Sequence, residues 1–145
     1  MHVRNAARLL LCLVASACLN TPTTEDLERS ADQILSSVAG PWSGASSGSG
    51  LLVLSFQLQP GTGSAVTGSG TMRESAAPSS VPITVTGSYV RPRLSLTFSG
   101  MVIEGNAVQG TFEGDYTSIG GVVGTLRLTG TGYSRDVPVL LQEGG

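Results

Sequence analysis

The sequence predicts a mainly β protein: a small antiparallel meander β-barrel of about eight strands, with one N-terminal amphipathic helix. Three observations predict this fold class. From residue 42 onward, apolar residues alternate with serine, threonine and glycine in short runs. Glycine, proline and serine clusters separate these runs at hairpin spacing. A single apolar pattern of helical period precedes them.

The N-terminal segment has the composition of a secretion signal. Arg4 and Arg8 precede a short apolar run, 9–14, and small residues follow it. The run is much shorter than the roughly 20 apolar residues that a membrane-spanning helix needs. We therefore predict that residues 1–17 are a signal peptide that is removed.

The residues Ala15, Ser16 and Ala17 stand directly before Cys18. This order resembles the lipobox of bacterial lipoproteins, with Ala15 where that family usually has leucine. The resemblance implies that Cys18 carries acyl chains such as palmitate and anchors the protein to a membrane. Leu19 takes the place of the aspartate that retains some lipoproteins at the inner membrane, which favours the outer membrane. The same small residues also fit an ordinary signal-peptidase site, which would give a secreted or periplasmic protein.

Residues 18–23 form a short polar tether, and an amphipathic helix is predicted after it. Thr23 stands three residues before Asp26, which is the spacing of a capping box. Apolar residues then recur at helical intervals: Leu27, Ala31, Ile34, Leu35 and Val38. Gly40, followed by a proline, ends the pattern, so we place the helix at 24–40. Its apolar stripe is expected to pack on the domain, since the helix lacks the basic face of a membrane-surface helix.

The barrel domain is predicted at 41–145. Its candidate strands are 42–47, 51–59, 65–74, 81–90, 93–99, 108–116, 122–131 and 137–142. A weak four-residue repeat with glycine at its third position recurs at intervals of about one strand–turn–strand unit, starting at Val66, Val85, Val108 and Leu128. A two-sheet sandwich is the alternative arrangement of the same strands.

Alternation within the strands assigns their two faces. Apolar residues and several glycines share one face, and hydroxyl residues with a few charges share the other. The glycines favour strong curvature and closure into a barrel, and they allow some internal space. The inverse orientation, with apolar side chains outward, would describe a membrane barrel, but the few aromatic residues form no girdle.

Composition excludes several classes of function. All eight basic residues are arginines, against ten acidic residues, so a basic face for nucleic acid is not available. After removal of the signal the chain has no histidine, and Cys18 is its one cysteine. Ser-His-Asp triads, Cys/His zinc sites and lysine Schiff-base chemistry are therefore excluded. We predict a non-enzymatic protein with no cofactor and no metal.

The first predicted strand opens with Gly40, Pro41 and Trp42. This resembles the G-x-W signature that begins lipocalins, and avidin-type barrels open similarly. Asp115 and Tyr116 resemble the Asp-Tyr pair that lipocalins place between later strands. The resemblance implies a barrel fold and an arginine from a late strand packed over the tryptophan.

That arginine would be Arg127 or Arg135, held over the indole by a cation–π contact. Two functions follow from the predicted barrel. The first is carriage of a small apolar ligand in the interior, which we expect to be lined by aromatic residues: Trp42, Tyr89, Phe98, Phe112 and Tyr116. The second is a protein-interaction or structural module of the cell envelope, such as a protease inhibitor. The second predicts a filled interior with an exposed apolar patch or an extended N-terminal arm.

Three weaker patterns have plain explanations. Glu113 and Asp115, with Glu104, could bind Ca²⁺ or form an acid pair, but acids on an exposed strand are ordinary. The turn at 91–93 could contact lipid headgroups, although charges there also limit edge pairing. A carbohydrate- or ice-binding face would need a regular Thr-x-Thr array across neighbouring strands. Without that array, β propensity explains the hydroxyl residues.

Overall fold

The computed structural model describes residues 38–47, 52–117 and 120–144. These residues form eight strands: β1 (Gly40–Ser46), β2 (Leu52–Pro60), β3 (Ala65–Glu74), β4 (Val81–Val90), β5 (Arg93–Ile103), β6 (Asn106–Tyr116), β7 (Gly121–Gly130) and β8 (Tyr133–Glu143). Each strand pairs antiparallel with the next, and β8 pairs with β1. The predicted meander is confirmed, and it closes into a barrel instead of forming a two-sheet sandwich.

The strand β5 runs further than the alternation predicts. Its register against β6 shifts between Phe98 and Met101, and Gly100 in this bulge has a φ of 87°. The bulge breaks the period of two, because Phe98, Met101 and Ile103 are all buried. A pattern that requires strict alternation therefore ends the strand at 99. The strand in fact continues to a tight hairpin that leads into β6 at Asn106.

The start of β8 was also missed, because Ser134, Arg135 and Asp136 are all exposed and show no alternation. At the other end of the chain, the predicted signal peptide, the tether and nearly all of the predicted helix lie outside the described residues. Val38 and Ala39 lie within them, have no regular secondary structure and lead directly into β1 at Gly40.

The two faces of the strands are arranged as the alternation predicts, with apolar side chains inward and hydroxyl side chains outward. The largest fully buried side chains come from seven strands and fill the interior: Trp42, Leu54, Leu58, Met72, Ile83, Leu94, Leu96, Phe98, Met101, Phe112, Leu126 and Leu128. One continuous hydrophobic core therefore occupies the barrel.

The inward glycines give room to large neighbouring side chains. A methyl group added at Gly110 would lie 2.6 Å from Sδ of Met101. One added at Gly114 or Gly124 would lie 2.7 Å from Cζ of Phe112. These distances are below van der Waals contact, so the glycines do not open the internal space that the sequence led us to expect.

Candidate functional site

Three of the five aromatic residues predicted to bind a ligand are fully buried in the packed core, and Tyr89 lies at its edge. Trp42 is 1% exposed, and Phe98 and Phe112 are 0% exposed. Phe98 also makes an edge-to-face contact with Phe56, with ring centroids 5.4 Å apart. These side chains belong to the continuous hydrophobic core and are closed off from solvent.

The other two predicted residues, Tyr89 and Tyr116, lie at one end of the barrel. We call this end the N-terminal mouth; it is formed by Val38, by the connections at 60–65 and 90–93, and by the ends of β6 and β7 at Tyr116 and Gly121. Here Trp42 packs edge-to-face against Tyr116, with ring centroids 6.2 Å apart. The indole Nε1 of Trp42 donates a hydrogen bond to the carbonyl oxygen of Val38 at 2.9 Å. The buried tryptophan thus fixes the chain segment that enters the barrel.

Both tyrosines at this mouth have phenol pKa values above the ordinary value. Burial raises the pKa of Tyr116, and the nearby charge of Glu143, which accepts a hydrogen bond from the phenol, raises it further. Burial also raises the pKa of Tyr89, although the charge of Arg91 opposes the shift. A recess of about 180 Å³ beside Tyr89 remains open to solvent. The phenols of Tyr89 and Tyr116 are therefore neutral at pH 7.

Neither arginine suggested by the lipocalin resemblance lies over Trp42. Arg127 is on the outer wall and donates to both carboxylate oxygens of Asp136, at 2.9 and 3.1 Å. Arg135 lines a small recess at the opposite mouth. The indole instead makes its edge-to-face contact with Tyr116.

The three carboxylates considered for Ca²⁺ are not brought together. Asp115 pairs with Arg93 at 3.2 Å, near the N-terminal mouth. Glu104 lies in the hairpin at the other end of the barrel, where its backbone N–H donates to the carboxylate of Glu74 at 2.8 Å. In the described part of the chain, no group of three or more His, Cys, Asp or Glu residues could hold a metal ion. Glu113 instead borders a charged groove of about 210 Å³ with Arg127.

The outer face of β3, β4 and β5 carries a feature that the sequence left undecided. Three consecutive outward positions on each of these strands are serine or threonine: Thr67, Ser69, Thr71, Thr84, Thr86, Ser88, Ser95, Thr97 and Ser99. The strand register places Ser69, Thr84 and Ser99 in one row across the wall. Thr67, Thr86 and Thr97 form the next row, which continues to Thr111 on β6. The regular array that sequence alone did not establish is therefore present.

Two adjoining grooves lie on this hydroxyl wall. One, of about 550 Å³, crosses β3, β4 and β5 between Thr71, Thr84 and Ser99. The other, of about 300 Å³, lies beside it along β2 and β3 and is bordered by Gln57 and Gln59. Ser69 borders both. We call the two grooves together the neutral trough, because no ionisable side chain lines either of them.

The opposite wall of the barrel is different. Val123, Leu140, Ala45 and Val53 stand next to one another across β7, β8, β1 and β2. Val123 is 54% exposed and Leu140 is 38% exposed. We call these four residues the apolar row. The hydroxyl wall and the apolar row face opposite directions, because three strands separate β4 from β8 on either side.

No protein-family model, curated protein or solved structure matches this chain. The part of the chain that the structure describes contains no helix long and apolar enough to cross a bilayer. Cys18, the predicted lipidation site, lies outside the described residues.

Proposed function

We propose that this chain is a non-enzymatic lipoprotein of the cell envelope, anchored through Cys18 to the outer membrane. Its barrel acts as an interaction or structural module that engages an envelope protein with its outer surface. The observation that carries the proposal is the filled interior. A barrel whose inward side chains already contact one another can recognise a partner only from outside.

The packing of the interior argues against carriage of an apolar ligand. Ligand sites have volumes of about 300–1,000 Å³. Phe98 and Phe112 occupy the middle of this barrel without any exposed surface. A ligand would have to displace them, and deleting or displacing a core aromatic side chain costs about 3–5 kcal/mol. Of the two functions that the sequence left open, the filled interior favours the interaction module.

The apolar row supports contact with a protein. Val123 and Leu140 are cross-strand neighbours whose apolar side chains stay in contact with solvent. Ala45 and Val53 extend the row without any intervening charge. Burial of such a row stabilises a complex by about 25 cal/mol per Å². An envelope protein that presents apolar side chains of its own is the partner that this surface fits.

The anchor is tested with a matched pair of variants expressed in a bacterium with lipoprotein processing. Cys18→Ala should abolish incorporation of labelled palmitate and leave the N-terminal mass without acyl chains. Cys12→Ala is the control, because Cys12 lies in the apolar run of the predicted signal and should not affect lipidation. Acylation that persists in Cys18→Ala would contradict the proposal.

The outward mode of recognition is tested with a photo-crosslinking amino acid placed at Leu140 or Val123 in the native host. We expect the same adduct mass from both positions, and no such adduct from Thr129, which is exposed on β7 away from the row. If neither position gives a reproducible adduct, protein contact through the apolar row is wrong. A lipid retained by the folded protein in native mass spectrometry would support the carrier instead.

A further inference from the structure

We propose that the neutral trough on β2–β5 binds a neutral glycan chain. The site is separate from the apolar row and needs only that the barrel binds ligands on its outer wall, as in the proposed function. The side chains that line it and can form hydrogen bonds to a ligand are Gln57, Gln59, Thr67, Ser69, Thr71, Thr84 and Ser99.

The chemistry of the lining selects the ligand class. Hydroxyl groups both donate and accept hydrogen bonds, and glutamine amides supply two donors and an acceptor. Sugar hydroxyls need this mixture. A phosphate, a carboxylate or an amine would find no opposite charge in either groove and would lose part of its hydration without compensation. The trough therefore fits a ligand rich in neutral hydroxyls.

The shape of the trough favours a chain over a single sugar. The two grooves meet at Ser69, and both remain open to solvent. Within each row, hydroxyls on neighbouring strands are about 4.8 Å apart, and successive rows are about 6.7 Å apart along the strands. Pro82, Gly70 and Gly100 give the larger groove an apolar floor, against which the C–H face of a sugar ring can pack. A closed barrel is curved, so a flexible chain can follow this array and a flat crystalline surface cannot.

Strand propensity alone does not account for the composition of this wall. Threonine is enriched in strands, which explains Thr71 and Thr84. Serine is not among the enriched residues, yet Ser69 and Ser99 complete the row through Thr84. Solubility alone would also be served by charged side chains, which make up roughly a quarter to a third of well-behaved surfaces. The trough instead has none.

The test uses the full mature lipoprotein in a zwitterionic detergent, because a detergent with a sugar headgroup would compete for the site. Binding is measured on immobilised neutral polysaccharides (α- and β-glucans, mannan, galactomannan and chitin) and on acidic ones (alginate, hyaluronate and polygalacturonate). We expect saturable binding to at least one neutral polysaccharide, unchanged between 0.15 and 1 M NaCl, since no charge is involved. No binding to any neutral member, or binding only to acidic members that salt abolishes, would overturn the proposal.

Variants connect the binding to the trough. Each deleted hydroxyl should weaken binding by about 2- to 10-fold, so the double variant Ser69→Ala/Thr84→Val should weaken it by about 4- to 100-fold. Thr129→Val is the matched control, because it removes an exposed strand hydroxyl outside the trough and should bind like wild type. Equal binding by the double variant and the control would overturn the assignment of the site. The thermal midpoint of each variant is measured to exclude loss of fold. We expect it to be unchanged, because the substitutions are conservative and the positions are exposed.

The glycan-binding experiment and the crosslinking experiment can fail independently of each other. Loss of glycan binding in Ser69→Ala/Thr84→Val should leave any protein adduct at Leu140 unchanged, because β3 and β4 lie across the barrel from β8. An adduct at Leu140 without glycan binding would support the interaction module and reject the glycan site. Glycan binding without an adduct would support the glycan site and reject protein contact through the apolar row.

Discussion

Replacement of Gly110 by alanine tests whether the barrel interior is filled. Gly110 lies on the inward face of β6, in the middle of the core, and it has no positive φ that would disfavour a side chain. The added methyl would lie 2.6 Å from Sδ of Met101, 3.1 Å from Cδ1 of Leu126 and 3.4 Å from Cβ of Phe98. All three neighbours are 0% exposed, so none can move out into solvent.

The two descriptions of the interior predict opposite signs. In a filled core, the extra methyl should destabilise the protein by about 1–3 kcal/mol, which is typical of overpacking. Beside a cavity, the same change should stabilise it by about 0.4–1 kcal/mol, because alanine reduces the entropy of the unfolded chain. Urea unfolding followed through Trp42, the single tryptophan of the chain, measures the difference.

A double variant tests the cause. Met101→Ala alone should cost about 2–5 kcal/mol by leaving a cavity. In Gly110→Ala/Met101→Ala the new methyl occupies part of that cavity, so the combined cost should fall short of the sum by about 0.5–3 kcal/mol. A rise in stability for Gly110→Ala would refute the filled interior and restore the apolar-ligand carrier as the favoured function.

Further outcomes follow from the contacts at the mouth and on the outer wall. Trp42→Phe removes the hydrogen bond to Val38 and should lower the free energy of unfolding by about 1–3 kcal/mol, measured by urea titration with circular dichroism. An unchanged urea midpoint would show that the indole does not hold the chain that enters the barrel. Because the pKa of Tyr116 is raised in the folded state, its contribution to stability is complete below about pH 10 and is lost as the pH rises above it. The free energy of unfolding of Tyr116→Phe should therefore fall less than that of wild type between about pH 9 and 11, which is one pH unit on either side of the ordinary tyrosine pKa. An equal fall in both proteins would contradict a raised pKa for Tyr116. Arg93→Gln should leave the thermal midpoint unchanged, because both partners of its ion pair with Asp115 are more than half exposed, and a clear drop in differential scanning calorimetry would show that this pair has a larger role.

Much of the fold could be predicted because the hydrophobic pattern has a period of two. The boundaries of β3 and β4 agree with the predicted 65–74 and 81–90, since turn residues flank both strands and apolar residues alternate within them. The pattern failed where backbone geometry overrides it, as at Gly100, where a bulge keeps Phe98 and Met101 both inside. A bulge of this kind depends on pairing with another strand, and one strand's sequence does not determine that pairing.

The site residues were harder to predict than the fold. Trp42, Phe98 and Phe112 were correctly placed on the inward face, but whether that face encloses a cavity depends on packing between strands. The hydroxyl rows were missed for a related reason. Ser69, Thr84 and Ser99 are far apart in sequence, and only the hairpin registers bring them into one row. Tight turns of known length would have fixed those registers.

The closure of the barrel has a consequence for how the protein opens and aggregates. Every pairing but that of β1 with β8 joins strands that follow each other along the described chain, so those contacts are local and form early. The pairing of β1 with β8 joins opposite ends of the described chain, and β1 has only seven residues. Partial unfolding should therefore begin by separation of β1 from β8, which converts a sheet without edges into one with two. The free edges would then be templates for exchange of β1 between neighbouring molecules.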